Sequence, residues 1–131
     1  MAFELDRGIA VTALPDGGFA ADLDGGWEVG GGINGGYLLA VIGNAVRTLL
    51  LERGHVDPFS VSAHYLSASV PGPAVVETEV VRAGGRFSTV AATLVQHVDG
   101  VRVPRIAVLA TYGDLDAAHD RQTDAAAAAL H

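Results

Sequence analysis

The sequence predicts an α+β fold in which an antiparallel β-sheet wraps around one long hydrophobic helix. Three observations predict it. From Tyr37 to Arg53, Leu38, Leu39, Val41, Ile42, Ala45, Val46, Leu49, Leu50 and Leu51 cover most of a helical circumference. Only Asn44, Arg47, Thr48 and Glu52 form a narrow polar stripe, and a helix apolar nearly all round is a buried one. Beyond this segment the hydrophobic period changes to two and stays there through four segments separated by turn signals. Finally, 50% of the 131 residues are hydrophobic and 18% are charged, enough apolar material for a core and too much for global disorder.

Each element follows in order. Phe3–Leu14 mixes β-branched and apolar residues and stops at Pro15–Gly18, a strong turn signal. Phe19–Asp24 returns as a second short strand. Gly25–Gly36 reads GGWEVGGGINGG, and seven of these twelve residues are glycine placed directly against the helix. Glycine loses the most conformational freedom on folding, so such a cluster needs a reason. Either it is a linker, or its backbone must approach a phosphate, a thioester carbonyl or a second chain. Gly54 is a natural helix stop. Pro58–Ser67, Ala74–Arg82, Arg86–His97 and Val101–Tyr112 are the four later strands, with Gly84–Gly85 and Val98–Gly100 as turns. Pro104 belongs at an edge or a bulge. The order is β-β-α-β-β-β-β, a single domain over residues 1–115, and residues 116–131 form an alanine-rich polar tail or linker.

Composition excludes several functions. Net charge is −7 with no basic run, which argues against nucleic acid and against anionic membranes as partners. With no cysteine, disulfides, thiolate chemistry and cysteine-ligated zinc are out. The five histidines are scattered, so no metal site is expected, and no cofactor. The start MAFELDRG lacks the pattern of a signal peptide, and no apolar run approaches the ~20 residues of a membrane span. A cytoplasmic protein is expected.

Asn34-Gly35-Gly36-Tyr37-Leu38-Leu39, leading into the helix, resembles the Asn/His-Gly-Gly helix start of hotdog acyl-CoA thioesterases. SVSAHYLSASVPGP (Ser60–Pro73) and VVETEVVRAGGRFSTVAATLVQHVDG (Val75–Gly100) resemble the amino-terminal half of the acyl-CoA thioesterase II (TesB-like) family. The likeness covers roughly Trp27–Gly113 and implies a hotdog fold. That family usually carries two hotdog repeats in one chain, so the resemblance implies either a homo-oligomer of single hotdogs or one repeat of a longer protein. It implies acyl-CoA as the ligand and water as the attacking group. The alternative is a non-catalytic hotdog module that binds acyl-CoA or completes a dimer; a hydratase is a weaker third reading.

Candidate site residues follow. The amides of Gly35, Gly36 and Tyr37 lie at a helix N-terminus, where free donors and the helix dipole would hold a developing oxyanion. A tightly packed flexible loop is the plainer reading of the same glycines. Asn34 is a plausible N-cap, and it is a candidate for orienting a water or the thioester carbonyl. His64 shares one strand face with Ser60 and Ser62. Successive members lie ~7 Å apart, too far for direct hydrogen bonds, so a structural or interface histidine is the competing role. Arg82 and Arg86 flank a glycine turn and either meet coenzyme A phosphates or are solvated hairpin charges. Gln96 resembles the family's strand glutamine, a pocket or ladder residue. Tyr37, Tyr65 and Phe87 line an acyl channel or belong to core or interface. In the phenylacetyl-CoA type an acid sits two turns into the helix; here Gly43 and Asn44 stand there, and no acid precedes Glu52. The working set of the thioesterase II family lies in its carboxy-terminal repeat and aligns, by His64, to Val61 and Ala63, which cannot act. This repeat is therefore expected to be the partner that builds the pocket without the water-activating base. Asp114…His119 matches a hydratase spacing, but in the polar tail, and is read as coincidence.

Overall fold

Period-two alternation builds the sheet. In the computed structural model, which describes residues 8–29 and 32–117, eight strands surround one long helix. They are β1 (Val11–Ala13), β2 (Phe19–Leu23), β3 (Glu28–Val29), β4 (Gly32–Ile33), β5 (Asp57–Tyr65), β6 (Gly72–Ala83), β7 (Phe87–Val98) and β8 (Val101–Gly113). The helix, α1, is Gly35–Leu49. Six strands form an antiparallel sheet in the order β1-β2-β6-β7-β8-β5, and β3-β4 is a separate two-stranded ribbon. This is a hotdog fold, with the sheet curled over α1.

The inner face of the sheet carries Val76, Val90, Ala92, Leu94, Ile106, Val108, Ala110 and Tyr112. They pack on Leu38, Val41, Ile42, Ala45 and Val46 of α1. Each large side chain buried there contributes about 1.5–3 kcal/mol of transfer free energy. β7 and β8 turn at Asp99 and Gly100, both at positive φ (51° and 79°), the backbone that a tight two-residue hairpin needs.

The structure differs from the sequence reading in four places. The first strand is short: β1 covers only Val11–Ala13, and residues 3–7 lie outside the described residues, as does the tail from residue 118. The glycine-rich stretch is a 3₁₀ turn (Gly25–Trp27) and the small β3-β4 ribbon, so its outer parts are ordered pairing. The helix starts two residues earlier than Tyr37 and ends at Leu49; Leu51–Arg53 is a 3₁₀ turn closed by Gly54 at φ 73°. The wet and dry faces of β6 also fade toward its end. β2 pairs with β6 only as far as Val76, so Val80 and Val81 are exposed along an open edge. Pro104 sits at a bulge: Leu94 pairs with Ile106 and Val95 with Pro104, leaving Arg105 as the extra residue. Among the described residues no helix is long and apolar enough to cross a membrane.

β5 is the other sheet edge. It pairs with β8 on one side and presents nine residues on the other with no strand beside them.

Candidate functional site

The helix start is built by Asn34. Its backbone leaves the helix (φ −54°, ψ 126°), and its Oδ1 accepts from the amides of Gly36 (2.8 Å) and Tyr37 (3.2 Å). Its carbonyl accepts from Leu38 N–H at 3.1 Å. Such a cap is worth about 1 kcal/mol. It also changes the oxyanion expectation. Two of the three amides assigned to that role are spent on Asn34, and the amide of Gly35 is the one without a partner among the described residues.

Tyr65, at the end of the edge strand, closes over this point. Its Oη donates to the Gly35 carbonyl at 3.0 Å, and a Cβ on Gly35 would stand 3.0 Å from its ring. A side chain at 35 would therefore press on the exposed Tyr65 ring, which would have to shift by a few tenths of an ångström. Gly36 differs, because a Cβ there would meet only Asn34 Oδ1, at 3.1 Å.

Tyr37 is a core residue. Its hydroxyl donates to the Gly8 carbonyl (2.6 Å) and accepts from Asp24 N–H (3.1 Å), which pins the helix start to the end of β2. A tyrosine so committed cannot reach substrate.

Ser60, Ser62 and His64 share one face, and it is the outer one. Their neighbours across the ladder are Thr111, Leu109 and Ala107, whereas Val61, Ala63 and Tyr65 face the helix. All three are exposed and make no side-chain hydrogen bond among the described residues. Alternation therefore carries His64 away from the helix start within one domain, a correction to its expected catalytic place.

Arg82 and Arg86 lie on the outer side too. With Gly84, Phe87, Thr89 and Thr111 they line an open cavity of about 600 Å³. The turn between them is held by Arg53, donating to the Gly84 carbonyl at 3.3 Å, and by His55, whose Nε2 donates to the Gly85 carbonyl at 3.1 Å. Nδ1 of the same ring then accepts from Ser88 Oγ at 2.8 Å. The one ion pair among the described residues is Arg102–Glu77, so both turn guanidiniums are free of carboxylates. The hydrogen bonds from Arg102 hold the Glu77 carboxyl below its usual range. Both partners are about half exposed, so the pair is worth little.

Gln96 is buried (3% exposed) and fully used. Its Oε1 accepts from Val70 N–H (3.1 Å) and Arg105 Nε (2.9 Å), and its Nε2 donates to the carbonyls of Val70 (2.8 Å) and Pro73 (3.2 Å). Arg105, 7% exposed, also donates to Ser67 Oγ at 3.2 Å. This network straps loop 66–71 to the sheet. The loop in turn holds β4 through Ser69 O and Ile33 N–H (3.4 Å), immediately before Asn34. Gln96, read from sequence as a pocket or ladder residue and a candidate substrate contact, thus spends its whole side chain on this network.

An apolar cavity of about 360 Å³ opens between α1 and β5. Leu39, Ala40, Ile42, Gly43 and Val46 form one wall; Pro58, Val61, Val108, Ala110 and Tyr112 form the other. No carboxylate or histidine lines it among the described residues, and Asn44 is occupied by the Ile9 carbonyl at 2.9 Å. The sequence reading missed Arg105, His55 and Tyr112. A lone arginine or histidine in a strand pattern looks like a surface charge, and only the bulge at 105 and the turn at 84–86 bury them.

The expected residues thus fall into three groups. Asn34, Gly35 and Gly36 stand at the helix start; Ser60, Ser62, His64, Arg82 and Arg86 are on the outer face; Tyr37 and Gln96 are in the interior. Such a domain, a capped helix beside an apolar cleft and an open sheet edge, is a single hotdog unit. The sequence profile of the acyl-CoA thioesterase N-terminal domain matches residues 23–113, and the chain belongs to that family. A crystal structure from Thermobifida fusca YX assigned as a thioesterase II superposes with a TM-score of 0.74 at 29% identity, over 84% of this chain and 39% of that one. A hot dog fold protein from Alicyclobacillus acidocaldarius gives 0.63 at 16% identity, over 86% and 40%. The smu.793 protein of Streptococcus mutans, bound to acetyl CoA, gives 0.66 at 14% identity, over 79% and 85%. This chain spans about two fifths of the first two relatives. No curated protein matches it.

Proposed function

We propose that this domain serves acyl-CoA thioester hydrolysis at a seam with a second hotdog unit. The observation that carries the reading is the apolar cavity beginning one turn beyond the free amide of Gly35. An acyl chain lying along α1 would bring its thioester carbonyl to that amide. The donor and the helix dipole would stabilise the oxyanion formed as water attacks. The acetyl CoA held by the Streptococcus mutans protein of the same fold supports the ligand class. The outer-face arginines, Arg82 and Arg86, would serve coenzyme A phosphates only in an assembly that brings this face to the seam. Ser60, Ser62 and His64 would act only across that seam.

The second unit follows from the open edge of β5, which presents Phe59, Val61 and Tyr65, all substantially exposed. Unpaired strand edges are covered in native proteins, and a second hotdog laid edge to edge would cover this one. Light scattering on the 131-residue chain should return at least twice the chain mass. A stable monomer at micromolar concentration would count against the seam.

Among the described residues no base lines the cavity, so the chain by itself should bind acyl-CoA and turn it over weakly. A single oxyanion donor gives ~10²–10³ in rate, and without a placed general base a further ~10²–10⁴ is missing. Thiol release over several acyl lengths, with a binding titration, checks this. Gly36→Val should weaken binding at least tenfold while costing ~1 kcal/mol of stability or less. Efficient turnover by the chain alone would mean that it carries its own base.

A further inference from the structure

Tyr112 is 5% exposed and is the one polar side chain among the described residues that line the cavity between α1 and β5. A buried tyrosine normally finds a hydrogen-bond partner for its hydroxyl. Tyr37 does so; the Tyr112 hydroxyl makes no protein hydrogen bond among the described residues and is not fully enclosed, so it is open to the cavity. Across from it stands Gly43, where a Cβ would lie 3.2 Å from the Tyr112 Oη. The missing side chain at Gly43 lets the hydroxyl stand close against the helix at the wall of the cavity. Asn44, the next residue on α1, is turned to Ile9. Burial pushes the phenol above its ordinary range, so at neutral pH it is an intact O–H, able to donate and to accept.

We propose that Tyr112 makes this cavity selective for an acyl group that carries a hydrogen-bonding oxygen. The proposal rests on the reading that the cavity holds the acyl chain, and it specifies where the oxygen must be. Gly35 and Gly43 are eight residues apart, so the free amide and the hydroxyl are ~12 Å apart along the axis. With a hydrogen bond of ~2.8 Å at the tyrosine, the ligand oxygen stands ~9 Å from the thioester carbon. A substituent on the second or third carbon falls short of that. A hydroxyl at the end of an extended chain of about seven carbons reaches it.

Calorimetric titration of the 131-residue chain with heptanoyl-CoA and with 7-hydroxyheptanoyl-CoA tests this. The hydroxylated ligand should bind ~10-fold tighter, the value of one well-made neutral hydrogen bond. Tyr112→Phe, which deletes only the unpartnered oxygen, should bring the ratio of the two dissociation constants close to one. Gly43→Ala, which crowds the hydroxyl, should lower the ratio as well. Equal affinities in the unsubstituted chain would overturn the selectivity while leaving the acyl cavity intact. A ratio unchanged by Tyr112→Phe would assign the oxygen to another partner and also overturn it. Absence of binding by both ligands would overturn the acyl-CoA reading itself, and this inference with it.

Discussion

Gln96→Leu is expected to cost about 3–5 kcal/mol of unfolding free energy, the scale of breaking a buried network that holds a charge. Leucine nearly preserves the volume, so the loss is one of hydrogen bonding. The Arg105 Nε, the Val70 amide and the carbonyls of Val70 and Pro73 all lose their partner at once. Each buried group left unsatisfied costs about 1–3 kcal/mol, more where it is charged. Arg105 has no carboxylate beside it among the described residues, so the amide oxygen of Gln96 is its main buried acceptor. Urea unfolding should show a lower midpoint with an unchanged slope. The double variant Gln96→Leu with Arg105→Met should cost clearly less than the sum of the two singles, because both partners are then removed together. A single-variant loss under about 1 kcal/mol would show that the network is dispensable. Because loop 66–71 holds β4 just before Asn34, acyl-CoA binding should weaken in the same variant.

Ile42→Ala is expected to cost about 3 kcal/mol, within the ~2–5 kcal/mol span for such truncations. Ile42 is 1% exposed and lies where α1 meets the inner sheet face. One side of it already borders the cavity, which places the cost in the lower half of that span. Equilibrium denaturation would measure it. Loss of under 1 kcal/mol would mean that the helix collapses into the space, and the cavity volume would then not be set by this wall.

The fold was legible because its two periods are clean. The segment from Leu38 to Leu50 is apolar on nearly every side, and a helix with that pattern must be enclosed. The only curled structure available from the four alternating segments after it is an antiparallel sheet. Turn chemistry marked their limits, as at Asp99–Gly100. The site was less legible. Asn34 could be read as a cap from residue type and position alone, since capping is local. That its Oδ1 takes both the Gly36 and Tyr37 amides, leaving the Gly35 amide, required the actual turn geometry.

By itself the sequence determined the class of fold, the buried helix, the helix start at Asn34-Gly35-Gly36 and the absence of an acid two turns into α1. Those properties depend on residues close in the chain, where period and local hydrogen bonding decide. Only the tertiary structure decided which face each strand residue takes. Ser60, Ser62 and His64 were known to be together, but alternation is symmetric until one face meets the helix; it is Val61 and Ala63 that do. It likewise decided that Gln96 and Arg105, distant from Val70 in sequence, close one network, and that the Tyr112 hydroxyl stands over Gly43. Contacts between β7, β8 and loop 66–71 arise from the order in which strands pair, and strand order is a property of the whole sheet.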